Sequence, residues 1–464
     1  MRHVAPADIT AADLPDWMDR HHVDIIRTEA TNLDGISFGK YVKREKFLGA
    51  LPMGHAVADV ALALDMEGVP LTTLWHPYRS AVLGDVVLRP DLTTLLTDGR
   101  DPDLAHVICD VTAVDGSPIE LCPRTLLKRQ QAALRDAGYE AKVAFELEFC
   151  LFREDFDTAR ARGFKDLTPA GARPQNGVYH TRAALAGKPF MDALVKRLNW
   201  RDIAWEAWNA EASTGQFELN LAPASPVTAA DQLIRARQLL YEVAQDLDCS
   251  VTVMPSPSAH TASGLHIHHS LQRNGEAAFA ASGGQLNETM QHWLGGLMAT
   301  LPGAVSLLCP TINAYRRFEP FSAVPVTPTW GVENKSTAIR VVERGATQTR
   351  IEHRVASSEA NPYLAVATIL AGGLAGLSGQ LAPPEPCDDL AWGLPAHVPR
   401  LPASLAQAFA ATGNCAQLAA QLGDGFISYW CGTREHEWLR FHHAGGDTGA
   451  APTDWELERY FALF

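Results

Sequence analysis

No two of the eight cysteines, at positions 109, 122, 150, 249, 309, 387, 415 and 431 of this 464-residue chain, stand in a C-x-x-C pair or a disulfide framework. Reduced cytoplasmic thiols are the expectation. Positive charge is scarce as well: 39 Lys and Arg face 53 Asp and Glu, for a net charge of −14. A surface of that sign repels polyanions, which argues against nucleic acid or an anionic membrane as the principal partner. The N-terminal stretch MRHVAPADITAADLPDWMDRHH contains no apolar run of the signal-peptide kind. There is no G-x-x-x-x-G-K-[ST] loop, so any phosphate must be met by a different local cluster. No repeat of solenoid length is present. One charge-free stretch, Tyr363 to Ala382, is long enough to cross a bilayer. Its glycines, Gln380 and its place directly after a charged strand predict a buried helix of a large core instead.

What is present is ordinary for a globular protein, with 47% hydrophobic and 20% charged residues and enough length for two or three domains. Short apolar runs broken by Gly, Pro and Asp over residues 23–110 predict a small β-rich domain, taken as 1–110. Leu127, Gln130, Leu134 and Ala137 then follow helical spacing, and Gly138 stops the helix before a strand. From there, residues 111–464 read as one large mixed α and β domain. Within it, residues 153–190 are polar and rich in Gly, Pro and Arg, which predicts a long irregular excursion near a site, or a linker.

Four stretches carry chemistry. In AFELEF, Glu146 and Glu148 share one strand face and Phe145, Leu147 and Phe149 the other. In WNAEASTGQFELNL, a hairpin turning at Ser213 to Gly215, Glu211 precedes the turn and Glu218 follows it. In SGLHIHHS, His266 and His268 share a face. In TRIEHRVASSEANPY, Arg350, Glu352 and Arg354 alternate with apolar neighbours, and a surface salt-bridge ladder is the plain alternative. Five carboxylates gathered on strands with apolar backs repel one another unless cations join them. Oxygen-rich ligands with few imidazoles and no thiolate favour Mg²⁺ or Mn²⁺. Arg317, Lys335, Arg340, Arg350 and Arg354 supply the basic counterpart, and arginine forks suit phosphate and carboxylate oxygens. Metal-binding carboxylates beside converging arginines describe phosphoryl transfer.

These motifs resemble the glutamine synthetase family: FELEF, EASTGQFELN, SGLHIHHSL, PTINAYRRF and RIEHRVASSEANPYL occur in the family's order, and the likeness runs from LDGISFGK to DWELERYF. The resemblance implies an α+β fold: a small N-terminal β-grasp domain, then a catalytic domain with a curved antiparallel sheet and surrounding helices. It implies hexameric rings, stacked as a dodecamer, with sites between subunits. By motif match, Glu148, Glu211 and Glu218 would hold one of two or three Mg²⁺ or Mn²⁺ ions, and Glu146, His266 and Glu352 another. Arg317 would hold the glutamate α-carboxylate, with Gly264 and Tyr179 beside the substrate. Arg340 and Arg350 would meet the ATP phosphates, Arg354 the phosphoryl group in flight, and His268, Ser270 and Lys335 the nucleotide side.

The departures concern the nucleophile. Asn32, in TNLDG, stands where ammonium-using members carry Asp, and Ala323 stands where they carry Glu; Phe321 lies beside it. Both changes remove negative charge, unless Asp34 or Glu319 restores it. Thr261 and Ala262 replace a common Asn and Gly, and DDLAWGLPAHVP lacks the tyrosine that regulated bacterial members adenylylate. The pattern looks more like the γ-glutamylamide synthetases of amine catabolism, which join glutamate to an amine, here a monoamine such as an aniline or small alkylamine. A glutamine synthetase using ammonium and a catalytically silent structural or regulatory member are the alternatives.

Overall fold

The computed structural model describes residues 8–71, 84–171, 177–319, 323–447, 449 and 451–464. The smaller sheet orders its strands Ser37–Lys43, Ile25–Thr31, Leu104–Thr112, Asp85–Pro90 and His55–Ala58, with Leu96–Thr97 pairing on Leu104–Thr112. Ile25–Thr31 and Leu104–Thr112 run parallel, and the other pairs antiparallel. Alternate residues such as Ile26, Val107 and Leu88 are buried in the same core as Leu14, Trp17 and Met18 of the helix Leu14–His21. The β-rich expectation for this part thus gains two helices, Leu14–His21 and Arg44–Ala50, and its last strand continues through Thr112.

Pro123 opens the helix Pro123–Asp136, where its missing N–H costs nothing, and Leu126, Leu127, Gln130 and Leu134 form its buried stripe. Gly138, at φ +85°, turns the chain into the strand Glu140–Phe152. That long strand is central to a nine-stranded sheet whose main path runs Trp330–Val332, Ile339–Val342, Arg350–His353, Leu265–Arg273, Glu140–Phe152, Gln216–Leu221, Trp205–Ala210, with Ser250–Thr252 pairing on Glu140–Phe152 and Glu276–Ala277 on Leu265–Arg273. The sheet is antiparallel apart from its first pair. Its apolar face, with Phe145, Leu147, Phe149, Leu265, Ile267 and Ile351, is buried in the main core.

The charge-free stretch forms the helix Pro362–Gly379, capped at its start by the Asn361 side chain and largely buried. It packs on the helix Glu288–Leu308 so closely that a Cβ at Gly296 would lie 2.1 Å from the Gly372 carbonyl oxygen. Burial on all sides accounts for the missing charge.

The expectation for residues 153–190 needs correction. The segment carries the helix Phe156–Ala161 and the start of the helix Thr181–Trp200, so it is neither an irregular loop nor a linker; residues 172–176 fall outside the described set. Asp155 caps the first helix through Thr158 N, 2.7 Å away, and His180 caps the second. Ala159, Phe164 and Phe190 supply the packing, with Phe164 stacked on Phe461 at 4.7 Å.

Candidate active site

Register assembles the site. Pairing of Glu140–Phe152 with Leu265–Arg273 sets Glu146 opposite His266, and pairing of Leu265–Arg273 with Arg350–His353 sets His268 opposite Glu352. On the other flank Glu148 pairs with Glu218, and Arg340 pairs with Glu352. Side chains on one face of these strands therefore converge from five separate segments.

Glu146 lies between the imidazoles, with His266 Nδ1 at 3.0 Å and His268 Nε2 at 2.9 Å. Two groups bring their ligand atoms within 4.8 Å of one another: Glu146, Glu218 and His266, and Glu146, His268 and Glu352. The structure thus groups His268 with the carboxylates, and it sets Glu218 next to Glu146 and His266 as well as opposite Glu148. Glu148 accepts hydrogen bonds from Gly264 N at 2.8 Å and Gln216 Nε2 at 3.2 Å. Glu211 accepts one from Asn209 Nδ2 at 3.0 Å, and Glu218 one from Asn220 Nδ2 at 3.1 Å.

Charge divides the carboxylates. Burial, then Glu148, pushes Glu211 up to about 7; burial, then Glu146, pushes Glu218 up to about 8. Burial acts the same way on Glu146, but hydrogen bonds from His266 and His268 outweigh it and hold that carboxyl well below its ordinary value. Glu352 is buried too, yet Arg354, followed by His266 and His268, brings it to about 2. Buried carboxylates that keep protons because of burial first and one another's charge second, with imidazole nitrogens alongside, fit a divalent cation of oxygen-preferring kind.

The arginines close round Glu352. Arg354 donates to its Oε1, and Arg340 Nη1 to its Oε2 at 3.0 Å. The Nε donors of both arginines are buried without a partner. Arg350 Nε donates to His268 Nδ1 at 3.2 Å. A surface ladder is excluded, because Glu352 and Arg354 are buried. His268, Ser270 and Arg350 face an open cleft of 540 Å³, together with Lys142, Glu206, Asn220 and Gln272.

Other predicted residues lie further out. Arg317 is buried, donating through Nη2 to Val355 O at 2.9 Å, with Nη1 3.5 Å from where a Gly264 Cβ would stand. Tyr179 is exposed in a left-handed turn at φ 56°, near enough to Glu218 and Glu211 for burial and their charge to raise its phenol. Lys335 is exposed. Ala323 is exposed at φ 66°, and Phe321 falls outside the described residues. Asn32 is spent on its own loop: Oδ1 accepts from Asp34 N at 3.0 Å and Ile36 N at 2.9 Å, while Asn361 Nδ2 holds its carbonyl at 3.0 Å. Asp34 is buried in an ion pair with Arg434. Gln216 and Asn209, which orient Glu148 and Glu211, carry no sequence signal of that role beyond the place of Gln216 two residues before Glu218 in EASTGQFELN.

Residues 120–460 match the model of the glutamine synthetase catalytic domain. The chain is 31% identical to gamma-glutamylethanolamide synthetase of Streptomyces coelicolor, covering 95% of this chain and 93% of that one. It is 27% identical to glutamate–isopropylamine ligase of a Pseudomonas species, covering 97% of each. A solved complex of GmaS with ADP superposes with a TM-score of 0.82 at 25% identity, over 93% of this chain and 96% of that one.

Proposed function

The chain belongs to the glutamine synthetase family, and we propose that it makes γ-glutamylamides from glutamate, ATP and a small monoamine. It is a carbon–nitrogen ligase. The observation that carries this reading is the meeting of Glu146, His268 and Glu352 with Arg340, Arg350 and Arg354 beside the cleft that Glu146, His268 and Arg350 line. Glutamate's γ-carboxylate is unreactive toward amines at neutral pH, so its oxygen takes the γ-phosphoryl group of ATP and ADP leaves. The amine nitrogen then attacks the acyl phosphate, the C–N bond forms, and phosphate departs with the amine proton lost to solvent or a base.

Arg350 and Arg340 meet the phosphates, and Arg354 lies where charge grows as the phosphoryl group moves. Glu146, Glu148, Glu211, Glu218, His266, His268 and Glu352 would hold divalent cations, Mg²⁺ or Mn²⁺. These ions would neutralise the triphosphate and the charge that develops on it. Arg317 and Gly264 bound the glutamate end, and Tyr179 the amine side.

The amine is argued from charge. An ammonium ion in a partly desolvated pocket needs carboxylate partners, and Asn32 and Ala323 supply none. Asp34 is engaged by Arg434. A nucleophile that arrives neutral, or carries an apolar substituent, suits such a pocket. Ammonium use is the second reading, which the family itself favours. The assembly we propose is hexameric rings, likewise stacked in a dodecamer, in which the small domain of one subunit completes the next subunit's site. Free thiols at all eight cysteines and the use of ATP fit a cytoplasmic enzyme.

A screen of primary amines for glutamate- and ATP-dependent phosphate release, with ammonium as reference, tests the reading. A monoamine preferred over ammonium is the expected result. Preference for ammonium over every amine makes the protein a glutamine synthetase, and no glutamate-dependent release from the assembled protein removes the ligase reading.

A further inference from the structure

Arg340 is held by two carboxylates, one of which lies outside every motif that carries the family likeness. Nη1 donates to Glu352 at 3.0 Å, and Nη2 donates to Glu333. Glu333 follows the strand Trp330–Val332 in a left-handed conformation at φ 52°, which a side chain other than Gly, Asn or Asp adopts only under external constraint. The constraint is visible. Its backbone N donates to Val341 O at 2.9 Å, its Oε1 accepts from Glu343 N at 3.0 Å and from Arg344, and its Oε2 accepts from Arg340. One carboxylate thus ties the end of one strand to the guanidinium of Arg340 on the adjacent strand Ile339–Val342 and to the turn after it.

Without Glu333 nothing opposes collapse of Arg340 onto Glu352, which already receives Arg354. A two-pronged Arg340–Glu352 pair would neutralise a carboxylate needed for the cation and turn the fork away from the phosphates. We propose that Glu333 is a positioning residue for nucleotide binding, dividing Arg340 between two carboxylates so that the guanidinium is kept from closing on Glu352 and remains available to phosphate. The inference rests on the ATP-dependent reading above. Arg344, exposed and bound to the other oxygen of Glu333, is a bystander in it.

The test is Glu333→Gln, which keeps the side-chain length and removes the charge, beside Arg344→Ala, which leaves the Glu333–Arg340 contact in place. ADP affinity by calorimetry in the presence of Mg²⁺, and KM for ATP and for glutamate, are compared with thermal melting. A hydrogen bond between charged groups carries about 10-fold or more in binding, so Glu333→Gln is expected to weaken ADP and raise the KM for ATP by about 10-fold. The KM for glutamate should move less than about 2-fold. Glu333→Asp should recover part of the loss, and Arg344→Ala should show little of it. A folded Glu333→Gln protein with unchanged ADP affinity overturns the proposal, as does an equal rise in both KM values, which marks a general disturbance. If Glu333→Gln fails to fold, Glu333→Asp decides by the same selective pattern. Because ADP binding is read without turnover, its outcome stands apart from whether the wild-type chain ligates amines.

Discussion

Raising the pH should tighten divalent-cation binding steeply and then stop doing so. In the metal-free protein Glu211 titrates at about 7 and Glu218 at about 8, both above the ordinary 4.5 of a glutamate. A cation that takes both Glu211 and Glu218 as ligands, as the proposed site requires, needs both ionised, so its affinity follows the product of the two ionised fractions. Between pH 6 and 7 that product rises about 50-fold, and between pH 8 and 9 only about 2-fold. His266, whose pKa is also raised on balance, must give up its proton as well, which adds to the steepness on the acid side. Protons displaced per cation should fall from about 1.7 at pH 6.5, from the two carboxyls, to about 0.1 at pH 9. The same shifts act on stability. Carboxyls whose folded pKa exceeds the unfolded value favour the metal-free fold fully below about pH 4.5, and that contribution is lost as pH rises through 7 to 8. The metal-free protein should therefore lose stability over that window, and Mn²⁺ should return it. Mn²⁺ titration by calorimetry in buffers of different ionisation enthalpy reads both the Kd and the protons. A Kd that changes less than about 5-fold from pH 6 to 7, with no proton release, would refute the raised carboxyl pKa values, set by burial and neighbouring charge, on which the cation site is argued.

Four further outcomes follow from the same reading. Glu352→Ala should cut phosphate release by about 10²-fold or more while the assembly stays folded; near-normal turnover would return Glu352 to a structural role. After chelation, Mg²⁺ or Mn²⁺ should restore activity and Zn²⁺ should not. Subunits separated by mutation of the ring interface should be inactive, and a fully active monomer by sedimentation would remove the part given to Asn32. In Asn32→Asp with Ala323→Glu, preference for a monoamine over ammonium should narrow by about 10 to 150 fold, the worth of one charged hydrogen bond. An unchanged kcat/KM ratio would place amine selection elsewhere.

Much of this was legible because strands write their two faces into alternation. Phe145, Leu147 and Phe149 took the core, and Glu146 and Glu148 the opposite face; Leu265 and Ile267 did so against His266 and His268. Alternation says which face a residue takes, but not which partner lies across from it. That depends on register between segments more than a hundred residues apart, and register made Glu146, rather than any other carboxylate, the group shared by both imidazoles. Glu333 was invisible for a related reason: in GVENKSTAIRV it is one charge in a polar turn, and only the fold carries Arg340 and Arg344 to it. The helices within 153–190 were hidden by polar composition, since their caps and a few packed aromatics, rather than an apolar run, hold them in place.

Asp34 shows how burial decides a question that charge counting leaves open. By sequence it stands two residues from Asn32 and could replace the lost carboxylate. In the fold its side chain turns inward to Arg434, whose guanidinium also lies over Trp430 at 4.4 Å. Breaking such a buried pair by withdrawing one partner costs about 3 to 5 kcal/mol, because the other charge is left stranded. Turning Asp34 out toward an ammonium ion would incur that cost, whereas a hydrogen bond to a charged group returns about 1.5 to 3 kcal/mol. The exchange is unfavourable, so Asp34 stays where it is, and its role is to fix the loop that presents Asn32. A loop held by Arg434 on one side and Asn361 on the other offers an uncharged amide in a set position. Its oxygen is already taken by Asp34 N and Ile36 N, so the amide brings no charge to the amine side and stabilises no full positive charge there, which is the physical basis for proposing a neutral or substituted amine.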